Sequence, residues 1–289
     1  MNIITMDKHK ASDKVGYDYI INNFKTKKCG RFQEKVAKIK TFLFFIFRTR
    51  RLQHVSKIKL ILTPNKFPSA AEFLFEYKCK QPYNRLKFCL NSKGGFGIIS
   101  AKFFEPVVYK FMSFVKGDVF LDIGANVGVY SLLNSTRFNK VISVEPGNAQ
   151  RMLLNKNIKL NHIRNIEVLE NAICGKEGII KLYKSKNLVN YNIVNQSNDY
   201  EEVNSITLDR LLLNLSHVEL LKIDVEGAEL DVIRSGMKEI NKVHFIIVEV
   251  KNSYFEEMRE ILNPVGFKYH ILEDRAIGEK NVLFMNKSL

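Results

Sequence analysis

Residues 119–128 read Val-Phe-Leu-Asp-Ile-Gly-Ala-Asn-Val-Gly. Four of the first five positions are apolar, and the run then breaks at Gly124. A short apolar run closed by glycine is the pattern of a buried strand entering a turn. Apolar spacing resumes over 127–133, which reads as a helix. Strand, glycine turn and helix in succession is one half of a βαβ unit, whose ligand sites lie just beyond the strand's carboxyl end. Gly124 and Gly128 let the backbone turn tightly and approach a ligand closely, with helical N–H groups pointing to the same place. The run is not G-x-G-x-x-G. Its strand-end acid, Asp122, suits a hydroxyl-bearing or cationic ligand better than a pyrophosphate.

Outward from this stretch the alternation continues. Apolar runs at 141–144, 166–169, 179–183, 220–223 and 245–250 read as strands, and helical spacing falls at 148–160, 208–215, 228–235 and 254–262. Runs at 267–272 and 282–285 read as a closing hairpin. Such alternation predicts a mostly parallel sheet covered by helices on both faces. Glu145 follows the second strand, 23 residues past Asp122. That is the spacing at which a strand-end acid receives ribose hydroxyls.

The fourth strand runs into Lys222-Ile-Asp-Val-Glu-Gly-Ala-Glu229. Asp224 and Glu226 straddle the turn, Gly227 permits it, and Glu229 falls in the first helical turn, where the helix dipole favours it. A carboxylate in reach of a hydroxyl can remove its proton. Asp224 is the first candidate for that base and Glu226 the second, with Glu249 at the end of the fifth strand a third. The same acids are equally able to cap the helix or orient their neighbours. Glu219, Asp224, Glu226, Glu229 and Asp231 meet only Lys222 as a nearby cation in the sequence, which disfavours a phosphate-rich acceptor at the centre. The asparagine-rich stretch 186–205 reads as a loop whose amides can bond sugar hydroxyls. Two acids on one turn are too few for a metal site, and none is expected.

VFLDIGANVG, VISVEP and LLKIDVEGAELDVIRSG, in that order, resemble the FkbM family of S-adenosylmethionine-dependent methyltransferases over roughly Val119 to Phe267. The resemblance implies a class I, Rossmann-like sheet of seven strands. It places Asp122, Gly124, Asn126 and Gly128 along the cofactor, Glu145 on its ribose, and Asn171 and Ala172 beside its adenine. It implies methyl transfer from S-adenosylmethionine. With the acidic turn, the expected acceptor is a hydroxyl of a sugar, glycan or related small metabolite.

The chain carries a formal charge of +15, unevenly spread. Residues 1–100 hold 21 Lys and Arg against 6 Asp and Glu, whereas residues 101–289 hold 24 of each. The expected division is therefore a basic N-terminal extension, 1–100, and a neutral methyltransferase domain, 101–289. Within the extension, Phe32, Val36, Ile39, Leu43 and Ile46 alternate with Arg31, Lys35, Lys38 and Lys40 as a basic amphipathic helix. Residues 31–51 can dock on the following domain, lie on an anionic membrane surface, or hold RNA phosphates. An RNA methyltransferase and a membrane-surface module with an inactive cofactor site are the rival functions. Against the first, the fourth strand lacks the Asn/Asp-Pro-Pro-aromatic turn of enzymes that methylate base amino groups. Arg85–Leu90 and Phe96–Ser100 read as a hairpin, followed by a helix over 103–115.

Cysteines 29, 79, 89 and 174 form no paired motif, and the first residues show no apolar core of a signal peptide. A cytoplasmic location is expected, with peripheral membrane attachment open to the basic helix.

Overall fold

The structure is a computed structural model that describes residues 2–7, 55–62, 72–78, 85–91, 105–184, 191–194, 198–275 and 278–288. The chain divides into two units, Met1–Ser92 and Lys93–Leu289. The first contains an antiparallel sheet of β1 (Asn2–Asp7), β2 (Val55–Leu62), β3 (Glu72–Lys78) and β4 (Arg85–Asn91), paired in that order. The strand expected at Arg85–Leu90 is present, but its described partner is Glu72–Lys78. Residues 96–100 and the amphipathic helix of 31–46 lie outside the described residues. Among the described residues, no helix is long and apolar enough to cross a membrane.

In the second unit, α1 (Pro106–Met112) precedes β5 (Gly117–Ile123), α2 (Val129–Asn134), β6 (Phe138–Val144), α3 (Asn148–Leu160) and β7 (Ile166–Leu169). After an excursion come α4 (Leu208–Leu212), β12 (Val218–Ile223), α5 (Glu229–Arg234), β13 (Val243–Lys251) and α6 (Asn252–Leu262). The hairpin β14 (Phe267–Arg275) and β15 (Glu279–Asn286) closes the sheet. The strand order is β14-β15-β13-β12-β5-β6-β7, parallel from β13 to β7 and antiparallel at β14 and β15. This is the seven-stranded class I methyltransferase sheet that the resemblance implies.

The central strands are apolar on both faces because both faces are covered. Leu121, Ile123, Val144, Leu221, Ile223, Ile246 and Val248 join one buried core with Val232 and Ile233 of α5 and Phe255, Met258 and Leu262 of α6. The last three recur at helical spacing and face inward. Charge in such strands is costly without a partner, so Asp122 and Lys222, both buried and in register on adjacent strands, stand out.

The excursion is β8 (Ala172–Ile173), β9 (Gly178–Lys184), β10 (Tyr191–Asn192) and β11 (Tyr200–Ile206), forming a second sheet in the order β10-β9-β11-β8. Two expectations are corrected here. The run 179–183 belongs to this small sheet and not to the main one, and Tyr200–Ile206, read as the end of a loop, is a strand. Its alternation of exposed and half-buried residues was hidden among Asn and Glu, which are sparse in strands in general.

Candidate active site

The chain leaves β5 for β6 and β7 on one side and returns to β12 on the other, so the strand order reverses between β5 and β12. Ligands in open α/β sheets bind at such a reversal, beyond the strands' carboxyl ends. Here those ends are joined directly. Ile223 is in register with Ile123, and the Asp224 N–H donates to the Ile123 carbonyl at 3.0 Å. Gly124 has φ +81°, and a Cβ there would lie 1.8 Å from the Asp224 carbonyl oxygen. Only glycine lets the two strand ends meet this closely.

The glycine loop is pinned from several sides. The N–H groups of Gly124 and Ala125 both donate to the Val144 carbonyl at 3.0 Å, and the buried Asn157 amide of α3 donates to the Val127 carbonyl at 2.9 Å. Gly128 has φ +88°, and a Cβ would strike the Leu154 and Leu132 side chains, so its immediate role is packing of the loop on α3. Asn126 sits in the left-handed region at φ 51°, and its Oδ1 is buried with no hydrogen-bond partner. Burying an amide oxygen without a donor is costly, so it marks a place where a ligand donor fits.

Glu145 lies beside that loop. Its Oε2 accepts from the Asn126 N–H at 2.8 Å and its Oε1 from the Gly147 N–H at 2.8 Å. Burial pushes its carboxyl up to about 7, although both N–H groups and Arg151 act the other way. Arg151 bridges to the neighbouring strand, donating to the Pro146 carbonyl at 2.7 Å and pairing with Glu170 at 3.4 Å. Glu145 N–H itself donates to the Leu169 carbonyl at 3.0 Å, which brings the end of β7 alongside. Asn171 follows, half-buried, and Ala172 is buried in β8, in register with Ser205 of β11.

Asp122 points inward. Its carboxylate accepts from Ser131 of α2, which in turn accepts from Ser143 Oγ of β6 at 2.7 Å. Burial raises its pKa, with Lys222 and Ser131 opposing. At the end of β12, Lys222 Nζ pairs with Asp224 Oδ2 at 2.8 Å. Glu226 and Gly227 both adopt positive φ, 58° and 107°. Glu229 turns back beneath them, its Oε1 accepting from Gly227 N–H at 2.8 Å and Val225 N–H at 3.2 Å. Burial, with Asp224, Glu229 and Glu279 adding repulsion against the pull of Lys222, pushes Glu226 up to about 7.

The acidic stretch is smaller than the sequence suggests. Glu219 sits at the opposite end of β12, accepting from the N–H groups of Asp118 and Val119, and Asp231 accepts from Gly175 N–H. Lys222 is also not the only nearby cation, since a Cβ on Gly227 would lie 3.2 Å from Lys251 Nζ. Asp224, Glu226 and Glu229 remain. Glu249 is half-buried on β13 and in register with Asn281 of β15. Sequence reasoning passed over Asn157, Arg151, Tyr130 and Lys251. A polar residue inside an apolar strand, as with Ser143 in Val-Ile-Ser-Val, was the available signal for the Asp122 partners.

The methyltransferase FkbM domain is matched over residues 122–269, just over half of the chain. The chain belongs to the FkbM methyltransferase family. It is an S-adenosylmethionine-dependent methyltransferase. Two curated relatives agree: Methyltransferase 1 of Beauveria bassiana (strain ARSEF 2860) is 24% identical over 199 residues, 58% of this chain and 80% of that protein. Methyltransferase sdnD of Sordaria araneosa is 25% identical over 233 residues, 67% of this chain and 89% of that one. Among solved structures, the precorrin-6y C5,15-methyltransferase of Geobacter metallireducens GS-15 covers 62% of this chain and 87% of its own at 12% identity and a TM-score of 0.41. The residues present fit the family's cofactor. Asn126 Oδ1 is an unfilled buried acceptor. Glu145 is a buried carboxylate with spare lone pairs.

Proposed function

We propose that this methyltransferase is an O-methyltransferase acting on a hydroxyl of a sugar, glycan or related small metabolite. In this reading Gly124, Asn126 and Glu145 hold the cofactor from loop to ribose, and Asn171 and Ala172 border its base. Asp122, bonded inward to Ser131, and Gly128, packed on Leu154 and Leu132, support the loop from beneath rather than touching the cofactor as the resemblance implied. S-adenosylmethionine supplies an electrophilic methyl group on a cationic sulfur. The protein's part is to align an acceptor hydroxyl and take its proton.

The observation that carries the reading is the carboxylate cluster at the end of β12, next to Gly124 across the strand-order reversal. Its two leading candidates differ. Asp224 is held in an ion pair with Lys222 at 2.8 Å, so its charge is already compensated. Glu226, pushed up to about 7, is poised to exchange a proton near neutrality. Glu226 is therefore the acceptor's base and Asp224 its fixed neighbour, the reverse of the order read from strand position alone. With Asp224 paired to Lys222, and Glu226 and Glu229 set against Lys251, this end holds no surplus of cations for a phosphate-bearing acceptor, and a neutral polyol fits it better.

Mass spectrometry of glycans and small metabolites from cells with and without the gene tests the acceptor class. Methyl additions on sugar hydroxyls support it, and additions confined to nucleic acid bases overturn it. On the acceptor so identified, Glu226→Gln should slow methyl transfer by at least about 100-fold. S-adenosylhomocysteine affinity should stay within about threefold, roughly 0.6 kcal/mol. Loss of cofactor affinity with no separate loss in transfer rate would remove Glu226 from the base position.

A further inference from the structure

Lys222 is a charged side chain in the most buried part of the sheet, where an isolated ammonium is strongly disfavoured. Its surroundings explain its presence. The ammonium pairs with Asp224 and sits 4.8 Å from the centroid of the Tyr130 ring, a cation–π distance. The Tyr130 hydroxyl donates to Glu105, whose other oxygen accepts from Asn281 Nδ2 at 3.1 Å. Asn281 also reaches Glu273 Oε2 at 3.3 Å, and Glu273 Oε1 accepts from Val107 N–H at 2.7 Å. The string begins at the start of α1, crosses α2 and β12, and ends on the closing hairpin. Glu105, Glu273 and Asn281 all lie outside the matched domain of residues 122–269.

We propose that Lys222 is a positioning residue whose ammonium, held over Tyr130 by this buried string, neutralises and orients Asp224 at the acceptor end of the site. This rests on the reading that the acceptor meets the cofactor at the end of β12. Burial alone would discharge Lys222, but Asp224, Glu105 and Asp122 more than reverse that and hold it protonated. The Tyr130 hydroxyl likewise stays protonated, through burial and the proximity of Glu105. The charges facing Glu226 are Asp224, Glu229, Glu279 and Lys222, with Lys251 over the adjacent Gly227. Lys222 thus separates two jobs that adjacent acids would otherwise share. Asp224 is held in place by its ion pair, and Glu226 is the carboxylate assigned to take the acceptor's proton.

The test needs no acceptor. Sinefungin carries a cationic amine where the cofactor carries its methyl group, whereas S-adenosylhomocysteine carries nothing there. The ratio of their affinities reports the charge at the acceptor end, and contributions from the ribose side, Glu145 included, cancel. Both ligands are measured by calorimetry at pH 8.5. Lys222→Met leaves Asp224 uncompensated and should favour sinefungin by about tenfold over the wild-type ratio, as expected for one charge several ångströms away. A ratio unchanged within about twofold overturns the proposal, because Asp224 then carries no charge that Lys222 was offsetting. Should Lys222→Met fail to fold, Lys222→Met/Asp224→Asn removes the pair together and should keep the wild-type ratio within about threefold. A roughly tenfold loss of sinefungin preference in that double variant overturns the proposal, since Asp224 was then a charge independent of Lys222.

The base assignment is read separately, from the wild-type ratio as a function of pH. A sinefungin preference that declines as pH falls through about 7 supports Glu226. A flat profile removes Glu226 as base and leaves the Lys222 result standing.

Discussion

Cofactor affinity should depend on pH through Glu145, and the structure sets the size of the effect. Its carboxyl lies at about 7 before ligand binds. Ribose hydroxyls donate, so binding favours the ionised form and requires any proton on Glu145 to leave. Between pH 8 and pH 6 the ionised fraction of a group at about 7 falls from about 0.9 to about 0.09. The dissociation constant of S-adenosylhomocysteine should therefore rise by about tenfold, roughly 1.4 kcal/mol. Calorimetry in buffers of different ionisation enthalpy should find about 0.9 proton released per ligand bound at pH 6 and about 0.1 at pH 8.

Glu145→Gln removes this dependence. It also presents an amide NH2 where the N–H groups of Asn126 and Gly147 both need an acceptor, so affinity and stability should fall by about 1–3 kcal/mol. Linkage gives a second readout. An unfolded glutamate loses its proton near pH ~4.3, while the folded one keeps it to about 7. The stability contributed by this proton is full below pH ~4.3 and is lost as pH rises through about 7. Saturating S-adenosylhomocysteine should accordingly raise the melting temperature more at pH 8 than at pH 6. A dissociation constant flat from pH 6 to 8, with no proton release, would refute the reasoning.

Gly124→Ala should destabilise the fold by at least about 2 kcal/mol, from the left-handed backbone plus the clash with the Asp224 carbonyl. Urea unfolding checks this, and a loss under about 0.5 kcal/mol would mean that the β5 and β12 ends separate freely. Asn157→Ala removes a buried donor from the Val127 carbonyl and should cost about 1–3 kcal/mol. Hydrogen exchange should show faster opening of residues 124–128 in that variant, and unchanged protection there would argue against α3 as the loop's support. The basic segment 31–51 should bind anionic vesicles at low salt and release them at high salt. Equal sedimentation with neutral vesicles would exclude an electrostatic membrane contact.

Much of the fold was legible because its signals are local. Apolar runs of strand length alternating with helical spacing, and a glycine immediately after Asp122-Ile123, specify a covered parallel sheet with a turn at its edge. The small sheet was less legible. Tyr200–Ile206 pairs with β9 through backbone groups, while its side chains, Tyr-Glu-Glu-Val-Asn-Ser-Ile, resemble those of a loop.

The site divides in the same way. Asp122, Glu145, Asp224 and Glu226 were recognisable as strand-end acids because position along the chain is enough to place them. Which of them faces a ligand and which is already bonded depends on neighbours distant in sequence. Ser131 takes Asp122 inward, the Asn126 and Gly147 N–H groups hold Glu145, and Lys222 takes the charge of Asp224. Glu105 reaches Tyr130 from 25 residues away, and Asn281 reaches Glu105 from 176. By itself, the order of residues determined the sheet and the acids at the strand ends, which follow from hydrophobic period and motif spacing, and its resemblance to a known family implied the cofactor. Only the packed structure decided the division of labour among those acids, because a carboxylate's charge is set by burial and by partners that folding brings within hydrogen-bond distance.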